Sequence, residues 1–173
     1  QLRPVLFDLP FDPASGLWLP PSPGHLERVL AAALAEGPLA AVVLVSPSYQ
    51  GLVGDLRGLI AVAHSRGLPV LLDEAHALGV LGPGGRGLGQ RGDTAPALIS
   101  GTFGKAFGSG GAFLAGGCLV MEWLLQFSGP FRYTTALAPP LAAAALAALA
   151  CLQADPRGQA LLQRAARWRS ALE

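Results

Sequence analysis

The chain of 173 residues has one lysine, two cysteines and one methionine, and only 13% of its residues are charged. Each scarcity closes off a class of protein. Cys118 and Cys151 stand far apart and share no metal-ligand spacing with the three histidines, which argues against a zinc site or a disulfide scaffold. It leaves two small apolar thiols in a reducing cytoplasm. A net charge of +1 offers no electrostatic reason to expect a nucleic acid or an anionic membrane as partner. The longest apolar run, Ala136 to Leu152, is alanine-rich, contains Pro139-Pro140 and falls short of the ~20 residues a bilayer needs. A buried helix starting after the prolines is the expectation. With 51% hydrophobic residues, a heavily buried α/β body is expected, not disorder. The chain opens on Gln1, not on methionine, directly before an apolar stretch, so a portion of something longer is expected.

The order of patterns supports that class. "RPVLFDL" (3–9) reads as a short strand, followed by a loop rich in proline, glycine and aspartate up to about Gly24. Residues 25–36 read as a helix with His25 on its surface, and "AAVVLVS" (40–46) as a strand buried on both faces. "DLRGLIAVAHSRG" (55–67) has helical spacing, an aspartate N-cap and a closing Gly67, and places His64 on the surface. "LPVLLD" (68–73), "PALIS" (96–100) and "GAFLAG" (111–116) are further strands, and helices are expected over about 117–127, 139–153 and 156–172. Strands alternating with helices imply a mostly parallel sheet flanked by helices.

Ligands in such sheets bind beyond the carboxyl ends of the strands. The strand ends here deliver Ser46, Ser48 and Tyr49 in "SPSYQG", Asp73, Glu74 and His76 in "DEAH", and Thr102 and Lys105 in "GTFGK". Asp73 ends an apolar run, so a nearly buried carboxylate that needs a cation or strong donor is expected. Glu74 should point the other way and make structural contacts. "GPGGRGLG" (82–89) reads as a flexible turn. Lys105 lies in "SGTFGKAFGSGG" (100–111), while the other eleven cationic side chains are arginine. Arginine stays protonated and is a poor nucleophile, whereas a lysine amine can lose its proton and form a Schiff base with a carbonyl. "DEAH" also occurs in nucleotide-hydrolysing helicases, but that reading requires an upstream GxxxxGK[ST] loop. The Gly104-Lys105 pair is downstream and is followed by Ala106.

A lysine, a buried carboxylate and a set of hydroxyl and imidazole groups are what pyridoxal phosphate chemistry demands. "LLDEAHALGVLGPGGRGLG", "GTFGKAFGSGGAFLAG" and "LLQFSGPFRYTTALAPP", in this order from about Ser46 onward, resemble the α-oxoamine synthase family of fold-type I pyridoxal phosphate enzymes. The resemblance implies part of the large domain of that fold over residues 1–173, with the N-terminal part and the C-terminal small domain absent. It implies that Lys105 holds the cofactor and moves protons at the substrate α-carbon, and that Asp73 holds the pyridinium nitrogen. His76 would meet the phenolic oxygen, Thr102 the phosphate, and Ser48 another cofactor atom. Tyr133, Thr134 and Thr135 match a segment that reaches the partner subunit's site, so a homodimer is implied. The branch resembled joins L-alanine to a pimeloyl thioester of coenzyme A or acyl carrier protein, with decarboxylation, in biotin synthesis.

Some stretches depart from the pattern. "FDLPFDPASGLWLPPSPGHLERVL" and "VSPSYQGLVGDLRGL" look more like fold-type I ornithine, lysine and arginine decarboxylases, which usually carry a histidine where this chain has Gly104. A synthase using glycine or serine, an amino-acid decarboxylase and a non-catalytic fragment therefore stand beside the first reading. The tail "RAARWRSALE" reads as an amphipathic helix leading toward a further domain.

Overall fold

A computed structural model describes residues 3–89, 94–155 and 157–172. It divides into two compact units, Gln1–Asp73 with Gly89–Leu98, and Glu74–Leu88 with Ile99–Glu173.

The first unit opens on a small antiparallel hairpin, β1 (Phe11–Asp12) and β2 (Leu17–Trp18), in what reads from sequence as a loop. Asp12 closes its turn. The Ser15 hydroxyl, at 2.6 Å, and the Ala14 N–H hold its carboxyl below the usual range. Residues 3–9 form no strand. A strand needs a neighbour for its backbone groups, and Pro4 removes one donor besides.

Helix α1 (Pro23–Glu36) begins where Ser22 accepts the His25 N–H at 3.2 Å, and Pro23 sits where no N–H is required. It buries Leu26 and Leu30. Strand β3 (Val42–Val45), helix α2 (Leu56–Ser65) and strand β4 (Val70–Asp73) follow as a parallel β-α-β unit in which Val42 pairs with Val70 and Val45 with Asp73. Asp55 caps α2 by accepting the Gly58 N–H at 2.9 Å. Leu59, Ile60 and Ala63 of α2 close on Leu26, Leu30, Val42, Leu44, Val70 and Leu72 to make the core, each full Leu, Ile or Val burial contributing about 1.5–3 kcal/mol. Two expectations are corrected here. Strand β3 is buried on one face only, with Val43 63% and Val45 58% exposed, because no element of this unit covers the second face. His25 and His64 are half-buried, not surface residues. The His25 ring centroid lies 5.9 Å from that of Phe7, and its Nε2 is enclosed without a hydrogen-bond partner among the described residues.

Strand β5 (Leu98–Thr102) enters the second unit at Ile99 and lies beside β6 (Ala112–Gly116). Helices α3 (Cys118–Phe127), α4 (Gly129–Arg132), α5 (Pro139–Ala154) and α6 (Gly158–Leu172) complete the unit. The sequence reading missed α4, which is a single turn; residue 156, its expected start for the last helix, lies outside the described residues. The expectation of a buried α5 is corrected: of its sixteen residues only Ala145 is buried. Too few elements surround α5 in this unit to cover an alanine-rich helix on all sides. The same is true of α3, where Leu119 is 80% and Trp123 58% exposed. Among the described residues no helix is long and apolar enough to cross a membrane. Cys118 and Cys151 are both free and exposed.

The start of α6 depends on a close approach. Gly158 is buried against the main chain of Val80, and a Cβ there would overlap the Val80 carbonyl. Gly158→Ala should therefore cost about 2–3 kcal/mol, read as a lower urea midpoint. Gly117→Ala, where an added Cβ meets nothing within 4 Å, should leave the midpoint nearly unchanged. Equal midpoints for the two variants would count against this packing.

Candidate active site

Two of the expected groups belong to the first unit. Ser48 follows a cis Ser46–Pro47 peptide and is bound into its own turn. Its hydroxyl accepts the Leu52 N–H at 3.2 Å, and its N–H donates to the Leu52 carbonyl at 2.9 Å. Asp73 ends β4, and its carbonyl accepts the Ser46 N–H at 3.0 Å. The Asp73 side chain is half-buried, which corrects the expectation of near-complete burial. A strand alternates its faces. Val70 and Leu72 are fully enclosed, so Leu71 and Asp73 turn to the face that this unit leaves more open.

The remaining groups belong to the second unit, which brings two turns together. The first begins at Glu74, whose N–H donates to the Ser100 carbonyl at 2.9 Å and whose carbonyl accepts Ala77 and Leu78. His76 sits on this turn, half-buried. The second turn carries Lys105, between β5 and β6. The Thr102 hydroxyl accepts the Gly104 N–H and donates to the Gly111 carbonyl, both at 3.1 Å. Phe103 donates to Gly111, Ser109 to Phe103 and Gly108 to Lys105. Gly79, at the end of the first turn, lies so close to Ala106 of the second that a built Cβ would stand 2.5 Å from the alanine methyl.

The Lys105 turn is thus held rigidly by main-chain bonds while its amine is exposed and, among the described residues, engaged in no ion pair or hydrogen bond. Thr102 spends its hydroxyl proton on Gly111, so contact with an anion would require it to exchange that partner. Sequence reasoning passed over Ser109. Its hydroxyl donates to the Leu141 carbonyl in the first turn of α5 at 2.7 Å and moors the lysine turn to that helix. A polar residue among glycines was the only available signal. Between this turn and α5 runs an apolar groove of about 250 Å³, lined by Phe103, Phe107, Leu137, Ala145, Leu146 and Leu149. Tyr133, Thr134 and Thr135 are exposed, with the Arg132 guanidinium 5.6 Å from the Tyr133 ring centre. Glu74 is 1% exposed and accepts the Leu88 N–H, the structural role expected of it. The 82–89 segment is not the loose turn read from sequence: its main chain is hydrogen-bonded at Gly79–Gly85, Gly82–Gly85 and Leu81–Gly87.

A parallel β-α-β unit ending in a carboxylate is followed along the chain by a strand-to-strand turn bearing a lysine, the order that the resemblance to fold-type I enzymes implied. The family model for aminotransferase class I and II matches residues 51–173, and the chain belongs to that family. The 8-amino-7-oxononanoate synthase of Delftia acidovorans is 42% identical over 156 residues, 86% of this chain and 38% of the relative. Among solved structures, a serine palmitoyltransferase from S. paucimobilis with a bound PLP–myriocin aldimine is 30% identical (TM-score 0.67), covering 76% of this chain and 35% of that one. The 8-amino-7-oxononanoate synthase of Francisella tularensis is 27% identical (TM-score 0.61), covering 80% and 42%. The chain therefore spans well under half the length of each.

Proposed function

We propose that this chain is the central portion of a pyridoxal phosphate-dependent acyltransferase that makes 8-amino-7-oxononanoate, acting as a cytoplasmic homodimer in biotin synthesis. The observation that carries the reading is Lys105: the chain's single lysine, an amine unengaged among the described residues on a hydrogen-bonded turn, in a segment similar to the Delftia synthase. The donor set fits the cofactor. An amine suits its carbonyl, a carboxylate its ring nitrogen, an imidazole its phenolic oxygen and hydroxyls its phosphate. When bound, pyridoxal phosphate supplies a carbonyl that condenses with amines and a ring that accepts electrons from the substrate α-carbon.

The residues then divide the work. Lys105 would hold the cofactor's carbonyl and, as a free amine, would take the substrate α-proton on its Nζ. Asp73 keeps a proton on the ring nitrogen. His76 would donate to the phenolic oxygen, Thr102 would bind the phosphate and Ser48 another cofactor atom, and Thr134 and Thr135 would serve the partner's site. Across the reaction, the alanine α-carbon forms a bond to the acyl carbon and the carrier thiol leaves with a proton. The alanine carboxylate departs as carbon dioxide and a proton replaces it. The likeness to serine palmitoyltransferase makes serine with another acyl thioester the second reading, ranked lower because its identity is 30% against 42%.

The test is a chimaera in which this chain replaces the aligned portion of the Delftia synthase. Alanine and pimeloyl thioester should give free thiol and 8-amino-7-oxononanoate, with serine and glycine far slower. A preference for serine would favour the second reading, and no condensation with any of the three would defeat the proposal. The 173 residues by themselves should show no sustained thiol release, because each missing charge-assisted contact to the cofactor removes roughly 1.5–3 kcal/mol.

A further inference from the structure

We propose that Glu74 is a positioning residue, which sets where His76 and the Lys105 turn stand by closing a ring of main chain with its carboxylate. The inference rests on the reading that His76 and Lys105 serve one reaction, and it lies wholly within the second unit.

Glu74 is a fully enclosed carboxylate at the start of the segment it organises, with 1% of its surface exposed. Its Oε1 accepts the N–H of Leu88, fourteen residues along the chain. Its Oε2 lies against Gly87, where a built Cβ would stand 2.5 Å away. Gly87 has φ +91°, so both backbone shape and lack of a side chain let the carboxylate reach Leu88. Between these ends the bonds run in sequence. The Glu74 carbonyl takes the Ala77 and Leu78 N–H groups, Leu81 donates to Ala77, Gly79 to Gly85 and Gly87 to Leu81. The Glu74 side chain closes that series into a ring.

The ring carries His76 on its first turn. It also offers Gly79 as the surface on which Ala106, the neighbour of Lys105, is packed. Opening the ring at Leu88 leaves a part-buried N–H without its acceptor, a defect that movement of the segment would relieve. His76 and Ala106 are the parts it would move. A carboxylate at this position therefore acts on the reacting groups through the backbone, without touching substrate.

The experiment compares Glu74→Ala, Glu74→Asp, Glu74→Gln and Gly87→Ala in the 173-residue chain. The His76 ring and Ala106 methyl signals are read by NMR at one pH before any cofactor is added. Glu74→Ala and Gly87→Ala should displace both signals in the same direction, while Glu74→Gln, which keeps an acceptor oxygen, should retain the wild-type positions. Folded Glu74→Ala with wild-type His76 and Ala106 signals overturns the proposal. If Glu74→Ala does not fold, Glu74→Asp decides: displacement supports the ring, and unchanged signals overturn it. Pyridoxal phosphate is then added to each folded variant, and the displaced ones should bind about tenfold more weakly than wild type. If the wild-type chain binds none, binding is compared in the chimaera, where absence of binding by the wild-type sequence defeats the acyltransferase reading while the NMR comparison still judges Glu74.

Discussion

Borohydride reduction of the chain with pyridoxal phosphate should place a single pyridoxyl group on Lys105. The chain has no other lysine, so the assignment needs only separation of two amines, Nζ and the chain terminus. Peptide mapping does that. The turn is built to present this amine. Thr102, Phe103, Gly108 and Ser109 fix the main chain on either side, and Ser109 ties it to α5. Lys105→Arg should fold to the same stability, because the side chain is exposed and makes no ion pair among the described residues. It should nevertheless take no label, since a guanidinium does not condense with the carbonyl under these conditions. In the chimaera the same substitution should lower turnover by roughly a thousandfold or more, as both the covalent anchor and the proton carrier are lost. A label confined to the terminal amine, or full turnover in Lys105→Arg, would remove Lys105 from the chemistry.

Asp73→Asn should leave the fold intact and abolish most α-proton exchange of alanine. One contact at the end of β4 is made by the Asp73 carbonyl to the Ser46 N–H, and a side-chain amide does not disturb it. Asparagine has nearly the same shape but no charge. It can no longer favour a protonated ring nitrogen, so the electron sink weakens. Exchange of the alanine α-proton with deuterium, followed in the chimaera, should slow by about a hundredfold or more, with cofactor binding reduced less. Exchange at the wild-type rate would take Asp73 out of the mechanism, and loss of folding would mean its side chain has a structural task that β4 does not reveal.

Much of this was legible before any coordinates. Helix α2 announced itself through Asp55 and Gly67, because caps and breakers act within a few residues and need no distant partner. Strands β3, β4, β5 and β6 all lie within or against the stretches their apolar patterns indicated. The lysine was legible for a chemical reason. In a chain where arginine supplies every other cation, its place among glycines after a strand asked for an amine and not merely a charge.

What the sequence by itself determined, then, was local conformation and chemical type: where helices start, which stretches extend, and which side chains could hold a carbonyl or a pyridinium. What it left open was everything set by neighbours distant in the chain. Residues 3–9 have strand composition but no ladder to join, and β3 has apolar residues on both sides but a cover on one. Burial of Asp73 depended on which face of β4 the unit fills, and Val70 and Leu72 took the inner one. Glu74 and Gly87 met only because the chain closes a ring between them, and Ser109 found its acceptor in Leu141, thirty-two residues on. Burial and hydrogen-bond partnership are properties of pairs of surfaces. One stretch of sequence carries only one member of each pair, so tertiary structure alone decided them.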